Sequence, residues 1–140
     1  MSKVLICGSR DYEITVDKMY RDLIDTINFL SEIAKETITV DKIISGGATG
    51  PDSVAIKMCE RYNIPCIVNT PDWASWGRAA GPMRNKQMVD MADIVIAYWD
   101  GKSKGTESTI RFTEEENKLR MIFYPEGYKE KDGRKTWADK

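Results

Sequence analysis

Three stretches combine glycines, hydroxyls and charged side chains at spacings that suit an anion. The first is Ser45-Gly46-Gly47-Ala48-Thr49-Gly50-Pro51-Asp52, which reads as a strand end, a glycine turn and a helix start. Glycines lack Cβ atoms, so the turn can take positive φ and approach a ligand closely. Pro51 suits the first helical position, where a missing N–H costs nothing. The unpaired amides of such a start, with its positive dipole, favour phosphate. The second stretch is Gly8-Ser9-Arg10, at the end of the apolar run Val4-Leu5-Ile6-Cys7. The third runs from Asp100-Gly101 to Gly105-Thr106, with Thr106 expected to cap a helix. Gly81-Pro82 uses the same device as Gly50-Pro51 and is expected to open a helix carrying Arg84 and Asn85.

Several of these residues have two roles open to them. Arg10, Arg78 and Arg84 favour phosphate, while Arg84 could equally form a surface salt bridge. Asp52, in a first helical turn, could accept from a ribose hydroxyl or simply cap the helix. Asp100 could bind a hydroxyl or amine, or make an Asx turn before Gly101. Trp73 and Trp76 could stack on a base or seal their loop onto the core. The chain has no histidine, which removes the commonest general base. Any catalysis would rest on groups such as Arg84, Asp52, Asp100 and Glu107. No metal-type ligand spacing is present. Asp52 and Asp100 could share a hydrated magnesium brought by ligand phosphates, but no cofactor is required.

The elements that must position these residues follow from hydrophobic periodicity. The 140 residues suffice for one domain with a real core. Apolar runs at 4–7, 43–44, 64–68, 93–98 and 121–124 read as five strands. Three-four apolar spacing from Val16 and from Val54 marks helices, and further helices are expected from Gly81 and from Thr106. Strict alternation of strand and helix implies an α/β fold: an open, mainly parallel five-stranded sheet with helices on both faces. In such sheets ligands bind outside the carboxyl ends of the strands, where all three stretches fall. Residues 1–125 form the expected domain, and the charged stretch 126–140 a tail or small hairpin.

Three cysteines without metal spacing fit reduced core thiols and a cytoplasmic setting. No signal pattern or membrane-length apolar run is visible. With a net charge of −1 and no basic stripe, nucleic acid is not expected as a partner. A nucleotide-type small molecule is expected instead, and apolar helix faces permit a homodimer or higher homo-oligomer.

As an ordered set, Gly8-Ser9-Arg10-Asp11-Tyr12, the 45–52 turn, Asp72-Trp73, Ala80-Gly81-Pro82-Met83-Arg84-Asn85, Ala92-Asp93 and Gly105-Thr106 resemble the SLOG superfamily. This Rossmann-like group includes the Lonely Guy phosphoribohydrolases, the DNA-processing protein DprA, the YspA-like proteins and sensor domains of some prokaryotic immune effectors. The YspA-like branch is the most similar. The resemblance implies a nucleotide or nucleotide-derived ligand, such as an ADP-ribose derivative or cyclic nucleotide, held for sensing or sequestration with its phosphate on the glycine-rich turns. It also implies an alternative, N-glycosidic cleavage of nucleoside monophosphates. Lonely Guy enzymes pair an arginine, matched by Arg84, with a glutamate whose position here is Thr109. A threonine cannot stabilise an oxocarbenium-like transition state or activate water as a carboxylate does, so holding is favoured over hydrolysis. By analogy with DprA, single-stranded nucleic-acid binding is the weaker alternative.

Overall fold

The computed structural model describes residues 1–127. Five strands, β1 (Ser2–Gly8), β2 (Val40–Ser45), β3 (Cys66–Val68), β4 (Ile94–Tyr98) and β5 (Leu119–Phe123), form one sheet in the order β3-β2-β1-β4-β5. Every pairing is parallel. Helices α1 (Val16–Ala34), α2 (Pro51–Tyr62), α4 (Ala80–Met91) and α5 (Lys104–Glu115) make the crossovers, with the short α3 (Trp73–Trp76) before α4. The strand order reverses between β1 and β4, so the carboxyl ends of these two strands mark the switch point at which open α/β sheets leave a crevice.

Alternation along the strands divides the core. Val4 and Ile6 of β1, with Ile94 and Ile96 of β4, pack under α1 and α2 on one face. Leu5 and Cys7, with Val95 and Ala97, pack under α4 and α5 on the other. Both faces are covered, which is why the central strands read as unbroken apolar runs. Tyr98 is wholly buried, and its hydroxyl donates to Asp22 of α1 at 2.9 Å. Lys18 pairs with the same carboxylate, so a buried charge is neutralised and hydrogen-bonded.

The expected five-stranded parallel sheet is present. Three local expectations are corrected. The stretch before α4 is not plain loop: Asp72 caps α3 by accepting from the Ser75 amide at 3.2 Å, and a 3-10 turn, Gly77–Ala79, follows. That turn runs directly into α4 at Ala80, so Gly81-Pro82 lies inside the first turn rather than opening it. Pro82 is tolerated because first-turn amides have no intrahelical partner in any case. Finally, α5 starts at Lys104 with Ser103 as its N-cap, and Thr106 is the residue whose amide Ser103 accepts. The tail or hairpin expected at 126–140 lies, beyond Gly127, outside the described residues.

Candidate functional site

A cleft of about 610 Å³ opens at the carboxyl ends of β1 and β4, within the range typical of small-molecule sites. The loop after β1 supplies Gly8, Ser9 and Arg10, and the glycine turn supplies Ala48 and Asp52. Trp73, Arg84 and Asn85 line it from α3 and α4, and Asp100, Gly105, Thr106 and Thr109 from the loop after β4 and from α5. The remaining candidates, Gly46, Gly47, Thr49, Gly50, Arg78, Gly101 and Glu107, are not part of its lining.

The glycine turn approaches protein rather than open space. At Gly50, φ is +85° and a Cβ would stand 2.7 Å from the carbonyl oxygen of Arg10. A Cβ at Gly8 would stand 2.6 Å from the Pro51 ring. Only residues without side chains let β1, the glycine turn and α2 converge this tightly. Two of the turn's amides are also occupied. Gly47 donates to Ser45 Oγ at 3.2 Å, and Ala48 to Asp52 Oδ2 at 3.3 Å. The Asp52 carboxylate thus sits on an amide a phosphate would have used.

Asp52 is buried. Burial pushes its carboxyl up from 3.8 to about 6, against the opposing pull of the Ala48 amide, the Arg84 guanidinium and the Gly8 amide. Arg84 is likewise half-buried, and loss of solvent lowers its pKa, partly offset by Asp52 and Cys7. Its Nη1 donates to the carbonyls of Gly46 at 2.8 Å and Asn69 at 3.3 Å, and its Nε to Asn85 Oδ1 at 2.9 Å. Asn85 in turn donates to Gly105 O at 3.3 Å, tying α4 to the start of α5. Burial raises the Cys7 thiol beneath this group, and Asp52 adds to the rise, so the thiol stays protonated.

On the opposite wall, Ser9 Oγ accepts the Asp100 amide at 3.1 Å. Asp100 Oδ1 accepts the amides of Lys102 and Ser103, both at 2.8 Å, an Asx turn. Partial burial works to raise the Asp100 carboxyl, but the Ser103 and Lys102 amides and the Ser9 hydroxyl outweigh it and hold it below the ordinary value. Thr109, at the position where an N-glycosidase acid would stand, donates its hydroxyl to Gly105 O at 3.3 Å. Of the four candidate catalytic groups, Arg84, Asp52 and Asp100 share the cleft and Glu107 does not.

The structure adds residues that sequence reasoning passed over, chiefly Lys102, Ser103 and Lys104. Two lysines flanking a capping serine were the available signal. Both are exposed, as is Arg10, and among the described residues none of the three forms an ion pair. The amides of Lys104 and Gly105 lead α5 without a hydrogen bond from the preceding loop, and a Cβ at Gly105 would meet open space. This end of the cleft therefore offers free donors and unpaired cations. A second depression, of about 450 Å³ between α1 and β5, is lined by Asp22, Asp25 and aromatic side chains and has no cation in its lining. No group of three or more metal-ligating side chains is clustered among the described residues, and none of their helices is long and apolar enough to cross a membrane.

Fold and site together define an α/β domain of Rossmann-like architecture with a polar cleft at its switch point. No protein-family model matches the sequence. The chain is similar to the Gene 61 protein of Mycobacterium phage D29, with 29% identity over 117 residues, 79% of this chain and 87% of that protein. In fold it is similar to DNA processing protein A from Helicobacter pylori, with a TM-score of 0.56, 20% identity and coverage of 98% of this chain and 69% of that one. That neighbour is a protein with a unique single-stranded DNA binding mode. The expectation that nucleic acid is no partner is corrected by this likeness. Net charge averages the whole surface and does not register the local, unpaired cations Arg10, Lys102 and Lys104.

Proposed function

We propose that the cleft binds a nucleotide through its phosphate, as a domain of the SLOG type and its YspA-like branch. The observation that carries this reading is the pairing of free α5 amides at Lys104 and Gly105 with the unpaired cations Arg10, Lys102 and Lys104. Helix-start amides and flexible ammonium groups suit a phosphate. The phosphate belongs at α5 rather than at the glycine turn, because Asp52 already occupies the Ala48 amide. Arg84, held by Gly46, Asn69 and Asn85, faces the sugar side with Asp52.

The single-stranded DNA binding of the Helicobacter pylori protein supports a nucleotide that is one unit of a DNA strand. The cleft volume of about 610 Å³ supports a second reading, a free nucleotide-derived signal such as an ADP-ribose derivative or cyclic nucleotide. Amide chemical shifts followed during titration with 5′-dTMP and with a short oligo-dT test the phosphate position that both readings share. The Lys104 and Gly105 signals are expected to move first. Shifts confined to the α1–β5 depression, or none, would overturn the assignment.

A further inference from the structure

Trp73 and Trp76 remain largely uncovered in the folded chain, at 58% and 57% exposure. Large aromatic side chains are rarely left in water without a partner to cover them. They stand three positions apart on α3, so they are neighbours on one side of that turn. Trp73 also lines the cleft. Its ring edge rests on Gly81, where a Cβ would lie 3.4 Å from the ring, so the indole is braced along the first turn of α4. Trp76 lies beyond the cleft lining, and Arg78 follows it, exposed and without an ion pair among the described residues. The sequence thus leads out of the cleft from one indole to the next and then to a free guanidinium.

From this arrangement, and resting on the nucleotide reading above, we infer that Trp73 and Trp76 form a stacking platform that extends the cleft along a single strand of DNA. Trp73 stacks on the base of the nucleotide whose phosphate sits at α5. Trp76 stacks on the base of the adjoining nucleotide outside the cleft, and Arg78 meets the phosphate that follows. Every base offers a π-face, so the platform is tolerant of sequence. The unpaired Arg78 is what favours a polyanionic strand over an apolar peptide, which would bury that charge without a partner.

The test compares 5′-dTMP with oligo-dT of four nucleotides on the full chain and on Trp76→Ala, Trp76→Phe and Trp73→Ala. Trp76 is exposed, so its replacement leaves the core intact, and circular dichroism checks this. The inference expects the oligonucleotide to bind more tightly than dTMP. Trp76→Ala should weaken the oligonucleotide about tenfold and leave dTMP unchanged, while Trp76→Phe restores most of the loss. Trp73→Ala should weaken both ligands. Equal oligonucleotide affinity in wild type and Trp76→Ala overturns the platform and leaves the nucleotide reading standing. An oligonucleotide no tighter than dTMP does the same. If neither ligand binds, both readings fall.

Discussion

At the scale of single residues, Asp52 sets the electrostatic character of the cleft. Its folded-state value of about 6 lies above the ordinary 3.8, so the folded chain holds this proton more tightly than the unfolded one. The corresponding stability is fully present below about pH 3.8 and is lost as pH rises through about 6, up to about 3 kcal/mol across the window. Between pH 5 and 7.5 the loss is about 1 kcal/mol. Asp52→Asn is therefore expected to remove that part of the pH slope in urea denaturation, and identical slopes in the two proteins would refute the assignment. On the proposed reading the same proton also affects binding. Protonated Asp52 withdraws one negative charge from the cleft, so oligo-dT, whose internal phosphates do not titrate here, is expected to bind several-fold more tightly at pH 5.5 than at 7.5, on the scale of one partly screened charge. Asp52→Asn should bind equally at both. On the proposed reading the lysines act differently, as phosphate contacts. Replacing both Lys102 and Lys104 by Ala should flatten the dependence of oligo-dT affinity on log salt by about 1 to 2 units of slope; an unchanged slope would place the phosphate elsewhere.

At the scale of elements, the fold rests on a few junctions. Lys118, just before β5, donates to the carbonyls of Val89 at 2.7 Å, Asp90 at 3.0 Å and Ala92 at 2.6 Å, closing the carboxyl end of α4 with a cation as the helix dipole favours. Lys118→Met is expected to cost about 1–3 kcal/mol, read as a lower urea midpoint. Gly50→Ala combines positive φ with a 2.7 Å approach to the Arg10 carbonyl and should cost about 1–3 kcal/mol while disturbing the β1 side of the cleft. Much of this level was legible beforehand. The apolar runs located all five strands, although β3 begins at Cys66 rather than Ile64, and Pro51 marked the start of α2. What escaped has a physical reason in each case. Ser103 and Thr106 are both good caps three residues apart, and only the Asx turn at Asp100 selects the first. A four-residue helix such as α3 is too short to show a period. The burial of Asp52 arises from its approach to Gly8 and Arg84, which come from distant parts of the chain. The ammonium groups of Lys102 and Lys104 sit in a loop, and whether they are paired is decided by tertiary neighbours alone.

At the scale of the whole molecule, the sheet's strand order brings the ends of β1 and β4 together and so assembles loops that are far apart in sequence. Acidic residues are spread along α1 and α5, which is why the total charge of −1 conceals a cleft edged by unpaired cations. The phage protein and the Helicobacter pylori protein share sequence and fold with this chain to the extents given above. The central claim is that phosphate is the group recognised. Calorimetric titration of 5′-dTMP and of thymidine, side by side, tests it most directly. The account predicts a measurable heat for dTMP, at least tenfold weaker binding of thymidine, and a smaller difference when Lys102 and Lys104 are both alanine. Thymidine binding as tightly as dTMP would contradict it.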